Sequence, residues 1–200
     1  MSGFAIAPFL GIASALFLTE LTDKDALLIL GLATRTRAAT VFLAGAVAFT
    51  FTTTVIVSLG AVAVTLLPIE WIKLAGGAVM IAYGMWEARG LIGEKAVASE
   101  EKRIEEAKSG LRAFLLMVGA LALLDLAGDA TEVLTIVFVA QYSDTLLVFT
   151  AAIVGLVAAT AVETALGNRL GRMFTPRRLR YGSAALFIIL GATILATTLL

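Results

Sequence analysis

The chain has 200 residues, of which 60% are hydrophobic and only 15% are charged, and its formal net charge is zero. A soluble domain is nearer half apolar, so this composition favours a membrane protein. There is no Cys and no His, which excludes disulfides, thiolate chemistry and histidine-based metal or proton chemistry. Any titration or metal binding must therefore fall to carboxylates.

Six apolar segments predict six transmembrane helices. In chain order they cover 5–34, 39–66, 69–90, 111–140, 144–170 and 178–199. A span needs about 20 apolar residues, and the longer segments leave room for tilt or for a break. Pro68 and Pro176 each precede a segment, as suits the first turn of a helix. The first segment has no basic region before it, so we expect a retained helix and not a cleaved signal peptide.

A charged linker separates the first three segments from the last three. We expect a first repeat at 1–92, a cytoplasmic linker at 93–110 and a second repeat at 111–200. The linker mixes both signs of charge, which is typical of a solvated helix or a mobile loop. A regulatory arm is the less favoured alternative.

The two halves resemble each other at a nearly constant offset. Asp23 and Asp129 lie 106 residues apart, the stretches 73–84 and 180–191 lie 107 apart, and the two prolines lie 108 apart. Such regularity indicates a duplication. Because three helices per half is an odd number, the second half must enter from the opposite face. We therefore predict an all-α membrane protein of six transmembrane helices, built as two inverted three-helix repeats with a substrate site near the midplane.

The distribution of Lys and Arg predicts the orientation. With the N-terminus outside, the inner connections hold thirteen of these residues, the outer connections hold only Lys73, and Lys24 lies within the first segment. The positive-inside rule then puts both termini on the extracytoplasmic side. We expect an integral protein of a prokaryotic cell membrane, in contact with the lipid bilayer and with no nucleic-acid partner. Homo-oligomerisation is left open.

Carboxylates within the apolar segments are the main functional signal. With their polar neighbours they are Glu20, Thr22, Asp23, Lys24 and Asp25 in the first segment, Asp125, Asp129, Thr131 and Glu132 in the fourth, and Glu163 in the fifth. A charged side chain at the bilayer centre costs at least about 2.5–3.5 kcal/mol. These acids must therefore be protonated, paired or bound to cations.

The spacing of these acids predicts one shared site. In a continuous helix Glu20 and Asp23 share a face, and so do Asp125, Asp129 and Glu132. Asp23 and Asp129 each lie roughly 18 residues from one end of their segment, near mid-depth at a rise of ~1.5 Å per residue. We predict a metal site of Glu20, Asp23, Asp125, Asp129, Thr131 and Glu132, with Thr22, Lys24, Asp25 and Glu163 as secondary candidates.

The structural alternative is an ion pair between Glu20 and Lys24, with the other acids facing water. For Glu163, toward the inner end of its segment, we favour this exposed interpretation. For Asp23 and Asp129 we do not, because one lysine cannot neutralise both acidic groups.

Oxygen ligands suit hard divalent cations such as calcium and manganese. Desolvated carboxylates also hold protons more tightly, so one site can hold either occupant. Two protons carry the charge of one divalent cation, which is a physical basis for exchange. We expect no resident cofactor, because the divalent cation is the transported substrate.

The motifs around these acids resemble those of the GDT family of calcium/manganese:proton exchangers, marked by Glu-x-Gly-Asp-(Lys/Arg)-(Ser/Thr) in the first and fourth helices. The first copy here reads ELTDKD from Glu20 and the second reads LAGDAT from Leu126. The resemblance spans nearly the whole chain. It implies a cation site made by the motif acids and proton-coupled transport. The matching residues are Glu20, Asp23, Asp129 and Thr131, whereas Asp25, Asp125 and Glu132 depart from the motif and are included on physical grounds.

Two other functions fit parts of the pattern. The same architecture could export an amino acid or a monovalent cation. Two intramembrane aspartates could also form an aspartyl protease, although the Pro-Ala-Leu motif of such proteases is absent here.

Overall fold

The computed structural model describes residues 6–89, 94–106, 110–127, 130–142, 144–170 and 176–199. Within these residues the chain is helical, without strands. The helices are α1 (Ile6–Glu20), α2 (Lys24–Arg35), α3 (Ala38–Leu66), α4 (Ile69–Ala88), α5 (Glu94–Glu106), α6 (Leu111–Leu126), α7 (Ala130–Gln141), α8 (Thr145–Leu170) and α9 (Pro176–Leu199). The all-α class is thus confirmed.

Two helices are each long and apolar enough to cross a bilayer. They are α3, with a mean hydropathy of 2.0 over its best stretch, and α8 over Thr145–Gly167, with 2.3. The pairs α1 with α2 and α6 with α7 qualify only when each bent pair counts as one span. Two to four candidate spans therefore lie in the described part of the chain, and the number six stays a prediction.

The first and fourth predicted segments are broken, not continuous. The axes of α1 and α2 differ by 67°, and those of α6 and α7 by 64°. At the first break Asp23 caps α2, where its Oδ1 accepts a hydrogen bond of 2.6 Å from the backbone N–H of Lys24. Short acidic side chains favour such cap positions over helix interiors, because they compete for backbone N–H groups.

These breaks overturn one part of the site prediction. Glu20 ends α1 while Asp23 precedes α2, and Asp125 lies on α6 while Glu132 lies on α7. The expectation that each set shares the face of one continuous helix is therefore wrong. Asp129 lies outside the described residues.

Equivalent helices of the two repeats make equivalent contacts. The contact of α1 with α8 corresponds to that of α6 with α3, and the contact of α2 with α8 corresponds to that of α7 with α3. At the crossing of α4 and α9, a Cβ on Gly84 would lie 2.8 Å from the carbonyl oxygen of Ala184, and a Cβ on Gly191 would lie 2.6 Å from that of Gly77. Gly84 and Gly191, like Gly77 and Ala184, are 107 residues apart. The same close approach is thus made twice, once by each repeat.

Two apolar clusters lie on either side of the helix breaks. The first apolar core joins α2, α3, α5, α6 and α8 and includes Leu28 and Leu124. The second joins α1, α3, α4, α7, α8 and α9 and includes Leu16 and Leu134. Leu16 comes one turn before Glu20, and Leu28 comes one turn after Asp25. The acids of the first break are therefore flanked by an apolar core in each direction along the chain.

The charged linker contains a docked helix, α5. Its residues Val97 and Ile104 are only 7% and 4% exposed and belong to the first apolar core. Glu101, on the same face, lies 3.5 Å from a guanidinium nitrogen of Arg35. Positions i, i+4 and i+7 form one side of a helix, so the expectation of a solvated helix or mobile loop is wrong for this side. The repeat and linker boundaries stay predictions.

One exposed stripe along α3 is apolar. Leu43, Val47 and Phe51 recur every four residues and are about half exposed, at 55%, 49% and 57%. A contiguous apolar stripe of this kind suits contact with lipid chains.

Candidate cation site

Five carboxylates from four helical segments gather where the broken helix α1–α2 meets α6 and α8. They are Glu20, Asp23, Asp25, Asp125 and Glu163, and we refer to them as the acidic cluster. Each of these residues is at most 3% exposed.

The members of the acidic cluster interact electrostatically. Glu20 experiences Coulombic repulsion from four acids, which are Glu163, Asp25, Asp125 and Asp23. Asp23 also acts on Glu163. Buried like charges repel strongly because little water screens them. The cluster therefore favours any positive occupant.

Glu20 and Glu163 have carboxylate oxygens that are left without hydrogen bonds. In the described part of the chain, none of their four side-chain oxygens has a hydrogen-bond partner. Buried carboxylates in folded proteins normally accept several such bonds. The ion pair considered between Glu20 and Lys24 is not formed. The unpartnered oxygens leave room for a proton or a cation.

Glu163 lies inside the site, contrary to the exposed interpretation. It is 1% exposed, on the helix α8 that packs against both α1 and α2. Buried threonines flank it: the hydroxyl of Thr160 donates to the carbonyl of Leu156 at 2.9 Å, and that of Thr164 to the carbonyl of Thr160 at 2.8 Å. Glu163 and Thr164 lie three and four residues after Thr160, and the three therefore share one side of α8. This polar side on a largely apolar helix is the sequence signal that could have indicated a buried acid.

The break between α1 and α2 brings helix ends to the acidic cluster. The N-terminus of α2, where the helix dipole favours negative charge, carries Asp23 and Asp25. The C-terminus of α1 carries Glu20, and carbonyls at such ends can coordinate cations. The hydroxyl of Thr22 donates to the carbonyl of Thr19 at 2.9 Å, so its oxygen lone pairs stay available as acceptors. Lys24 is partly buried in the first turn of α2.

The second motif is only partly described. Asp125 lies in the last turn of α6, and Thr131 and Glu132 lie buried in the first turn of α7. Glu132 is not among the acids that act on Glu20. Of the predicted metal site, the structure brings Glu20, Asp23 and Asp125 together and adds the secondary candidates Asp25 and Glu163.

No three acids among the described residues converge closely enough to hold a metal ion by themselves. The acidic cluster is thus a set of neighbouring charges, and Asp129, the acid of the second motif, is not among the residues described.

The comparisons with known proteins agree with this picture. A family model, divalent cation/proton antiporter GDT1, matches the chain twice, at residues 8–94 and 113–199. No curated protein and no solved structure matches the chain. The double match confirms the predicted family and the repeat architecture. Because this is a family of membrane transporters and not of enzymes, the protease interpretation is wrong. By these two matches, which together cover most of its length, the chain belongs to the divalent cation/proton antiporter GDT1 family.

Proposed function

We propose that the protein exchanges calcium or manganese for protons at a site near the bilayer midplane, between the first and fourth predicted segments. The acidic cluster and Asp129 supply the negative charge of this site. The observation that carries the proposal is the burial of Glu20 and Glu163 among other acids with all their carboxylate oxygens unpartnered.

Electrostatics explains why such a site exchanges its occupants. An empty cluster holds several buried negative charges, which repel one another and lack solvation. One divalent cation or two protons neutralise the same amount of charge, so either occupant relieves this repulsion. The empty site is the costly state, and it therefore crosses between the two sides less readily than either loaded form.

The ligand chemistry favours calcium or manganese among divalent cations. Both accept carboxylate, hydroxyl and backbone carbonyl oxygens. The acids, the hydroxyls of Thr22 and Thr131 and the carbonyls that end α1 are ligands of this kind. In the described arrangement the acids repel one another, and a bound cation draws them inward to complete its shell.

The apolar surroundings support a site that is closed to both sides. The two apolar cores flank the first break. Leu16 of the second core precedes the acids by one turn, and Leu28 of the first core follows them by one turn. In the proposed topology six spans cross the membrane and both termini face outward. Opening one core at a time exposes the acids to one side only, which is alternating access.

Transport by reconstituted protein tests this function. In proteoliposomes we expect a proton gradient to drive uptake of calcium or manganese, and we expect Asp23→Asn and Asp129→Asn each to reduce uptake to that of protein-free vesicles. The control is Glu70→Gln, which removes an exposed carboxylate in the first turn of α4 and should leave uptake intact. Full uptake by the Asp129→Asn protein would contradict the proposal.

A counterflow screen addresses the other cargo. Vesicles loaded with calcium, manganese, sodium, potassium or an amino acid are assayed for exchange with labelled external solute. Exchange confined to the divalent cations supports the proposal, whereas exchange of an amino acid or a monovalent cation supports the alternative.

A further inference from the structure

A cavity of about 860 Å³ lies away from the acidic cluster, where α2 ends and α3 and α6 begin. Its walls combine two kinds of surface. Arg35, Arg37 and Thr40 are polar or charged, whereas Ile104, Leu111 and Phe114 are apolar. The cavity is therefore amphipathic, and the two charged side chains among its described lining residues are both positive.

Two helix N-termini lie at the cavity, together with the C-terminal end of α2. The cavity is lined by Arg37 and Thr40 at the N-terminus of α3, and by Gly110 and Leu111 at the N-terminus of α6. The unpaired N–H groups at such ends favour anions. Among the described residues, no acid lines the cavity.

The position of the cavity beside the start of α3 predicts a depth near the lipid headgroups. Helix α3 is a candidate span and begins at Ala38, so its first turn marks the edge of the apolar layer. From there, exposed apolar side chains continue along both helices, Leu43 on α3 and Leu111 and Leu115 on α6. Leu111 and Leu115 are four residues apart and share a face, so an apolar surface leads from the cavity into the membrane.

We propose that this cavity binds the headgroup of an anionic phospholipid. Its phosphate lies between Arg35 and Arg37, and its acyl chains follow the exposed apolar surfaces of α3 and α6. Basic pockets at the inner membrane surface recognise anionic headgroups in this way, and arginine pairs with phosphate through two parallel hydrogen bonds. A free phosphate has the charge but cannot use the apolar walls.

In the proposed site, the lipid phosphate competes with Glu101 for Arg35. Glu101 lies 3.5 Å from the Arg35 guanidinium and belongs to α5, whose Ile104 lines the cavity. A lipid phosphate and the Glu101 carboxylate can both pair with the Arg35 guanidinium. Removal of the Glu101 charge should therefore strengthen lipid binding, or at least not weaken it.

Lipid binding to the purified full-length protein tests the proposal. Native mass spectrometry in detergent would compare phosphatidylglycerol with phosphatidylcholine and with inorganic phosphate. We expect preferential retention of phosphatidylglycerol, and we expect Arg35→Gln/Arg37→Gln to weaken that retention at least tenfold. The matched control is Arg112→Gln, an exposed arginine beside the cavity that does not line it. Equal retention of both lipids, inorganic phosphate bound as tightly as the lipid, or an equal loss in the control would overturn the proposal.

Two single variants separate lipid binding from the folding of α5. Arg37→Gln leaves the Glu101–Arg35 ion pair intact and should still weaken retention of phosphatidylglycerol. Glu101→Gln breaks the same pair but keeps both arginines, so retention should stay equal or rise. Loss of lipid in Glu101→Gln would show that Arg35 acts through the docking of α5, and unchanged retention in Arg37→Gln would show that Arg37 does not bind the phosphate. Either result would overturn the proposal.

Discussion

In Glu163 and Glu20, burial, charge and missing hydrogen bonds coincide. They are contributed by different helices, α8 and α1, that pack against each other. Glu163 is one of four acids that repel Glu20 electrostatically. A buried pair of this kind is a poor source of stability, since removal of one charge relieves the other. Under the proposed function, this pair instead binds a positive occupant.

Substitution of Glu163 by Gln tests this distinction. We expect Glu163→Gln to weaken binding of the divalent cation roughly tenfold, which corresponds to about 1.4 kcal/mol of lost attraction. In chelator, the melting temperature should stay equal or rise, because one repulsive charge is gone. The measurements are cation titration and thermal unfolding of the purified protein, with Glu70→Gln as the exposed control. A lower melting temperature without cation would instead indicate that the Glu163 carboxylate stabilises the fold.

At this scale the sequence identified the members of the acidic cluster, and their role in cation binding stays a prediction. The acids of the first motif were identifiable because charge is costly within an apolar run. Glu163 was misjudged because its depth was inferred from its distance along α8, whereas its burial depends on which helices cover α8. No sequence pattern within α8 specifies that α1 and α2 pack against the face that carries Glu163. The electrostatic interaction of Asp23 with Glu163 likewise depends on how these helices pack.

At the scale of elements, the crossing of α4 and α9 depends on small residues. The backbones approach so closely that a Cβ on Gly84 or on Gly191 would meet a backbone carbonyl oxygen. In a membrane, such close packing and not hydrophobic burial drives helix association. Backbone atoms cannot rotate away from an added methyl group, so the helices themselves would have to move apart.

Alanine substitutions measure this crossing. We expect Gly84→Ala and Gly191→Ala each to lower the free energy of unfolding by about 1–3 kcal/mol, as overpacking does. The two losses should be similar, because the repeats make equivalent contacts. The control is Gly119→Ala on α6, where an added Cβ meets nothing within 4 Å. Thermal unfolding in detergent would compare them, and equal stability of all three variants would contradict the crossing.

Helix α5 gives a second test at this scale. Ile104 is buried against the first apolar core, so Ile104→Asp places an unpaired charge in an apolar contact, which is costly. We expect α5 to detach and trypsin to cleave faster at Lys102 and Arg103. Ala98→Asp, at an exposed position of α5, should leave the rate of cleavage unchanged. Equal rates in both variants would mean that α5 is not docked.

The helix breaks show what the sequence could not specify among elements. The apolar segments were recognisable from hydropathy, and their lengths left room for a break. The angle of 67° between α1 and α2, however, depends on the Asp23 cap and on the partners that hold each half. Amino-acid composition does not distinguish a continuous apolar helix from a broken one. The docking of α5 was missed for a related reason, since Val97 and Ile104 are two apolar residues within a highly charged stretch.

For the whole molecule, the duplication is consistent with the proposed site that serves two sides of a membrane. Equivalent helices from each repeat make equivalent contacts, α1 with α8 and α6 with α3. Each repeat contributes one broken helix, and each break carries acids. When the two halves are inverted relative to the membrane, the protein presents equivalent structures to the two sides of the membrane. A small rearrangement that opens one side then has a counterpart that opens the other.

The predicted inverted arrangement requires a defined orientation, which labelling of single cysteines can measure. The chain contains no Cys, so each introduced thiol reports on one position. Thr65→Cys and Gln141→Cys lie at the exposed ends of α3 and α7, and Ser99→Cys lies on the exposed side of α5. Since thirteen of the fifteen Lys and Arg residues lie on the predicted inner connections, the positive-inside rule puts α5 in the cytoplasm. A membrane-impermeant maleimide should label positions 65 and 141 in intact cells and position 99 only after permeabilisation. Labelling of position 99 in intact cells, with protection of the other two, would reverse the orientation, and equal labelling of all three would refute a six-span topology.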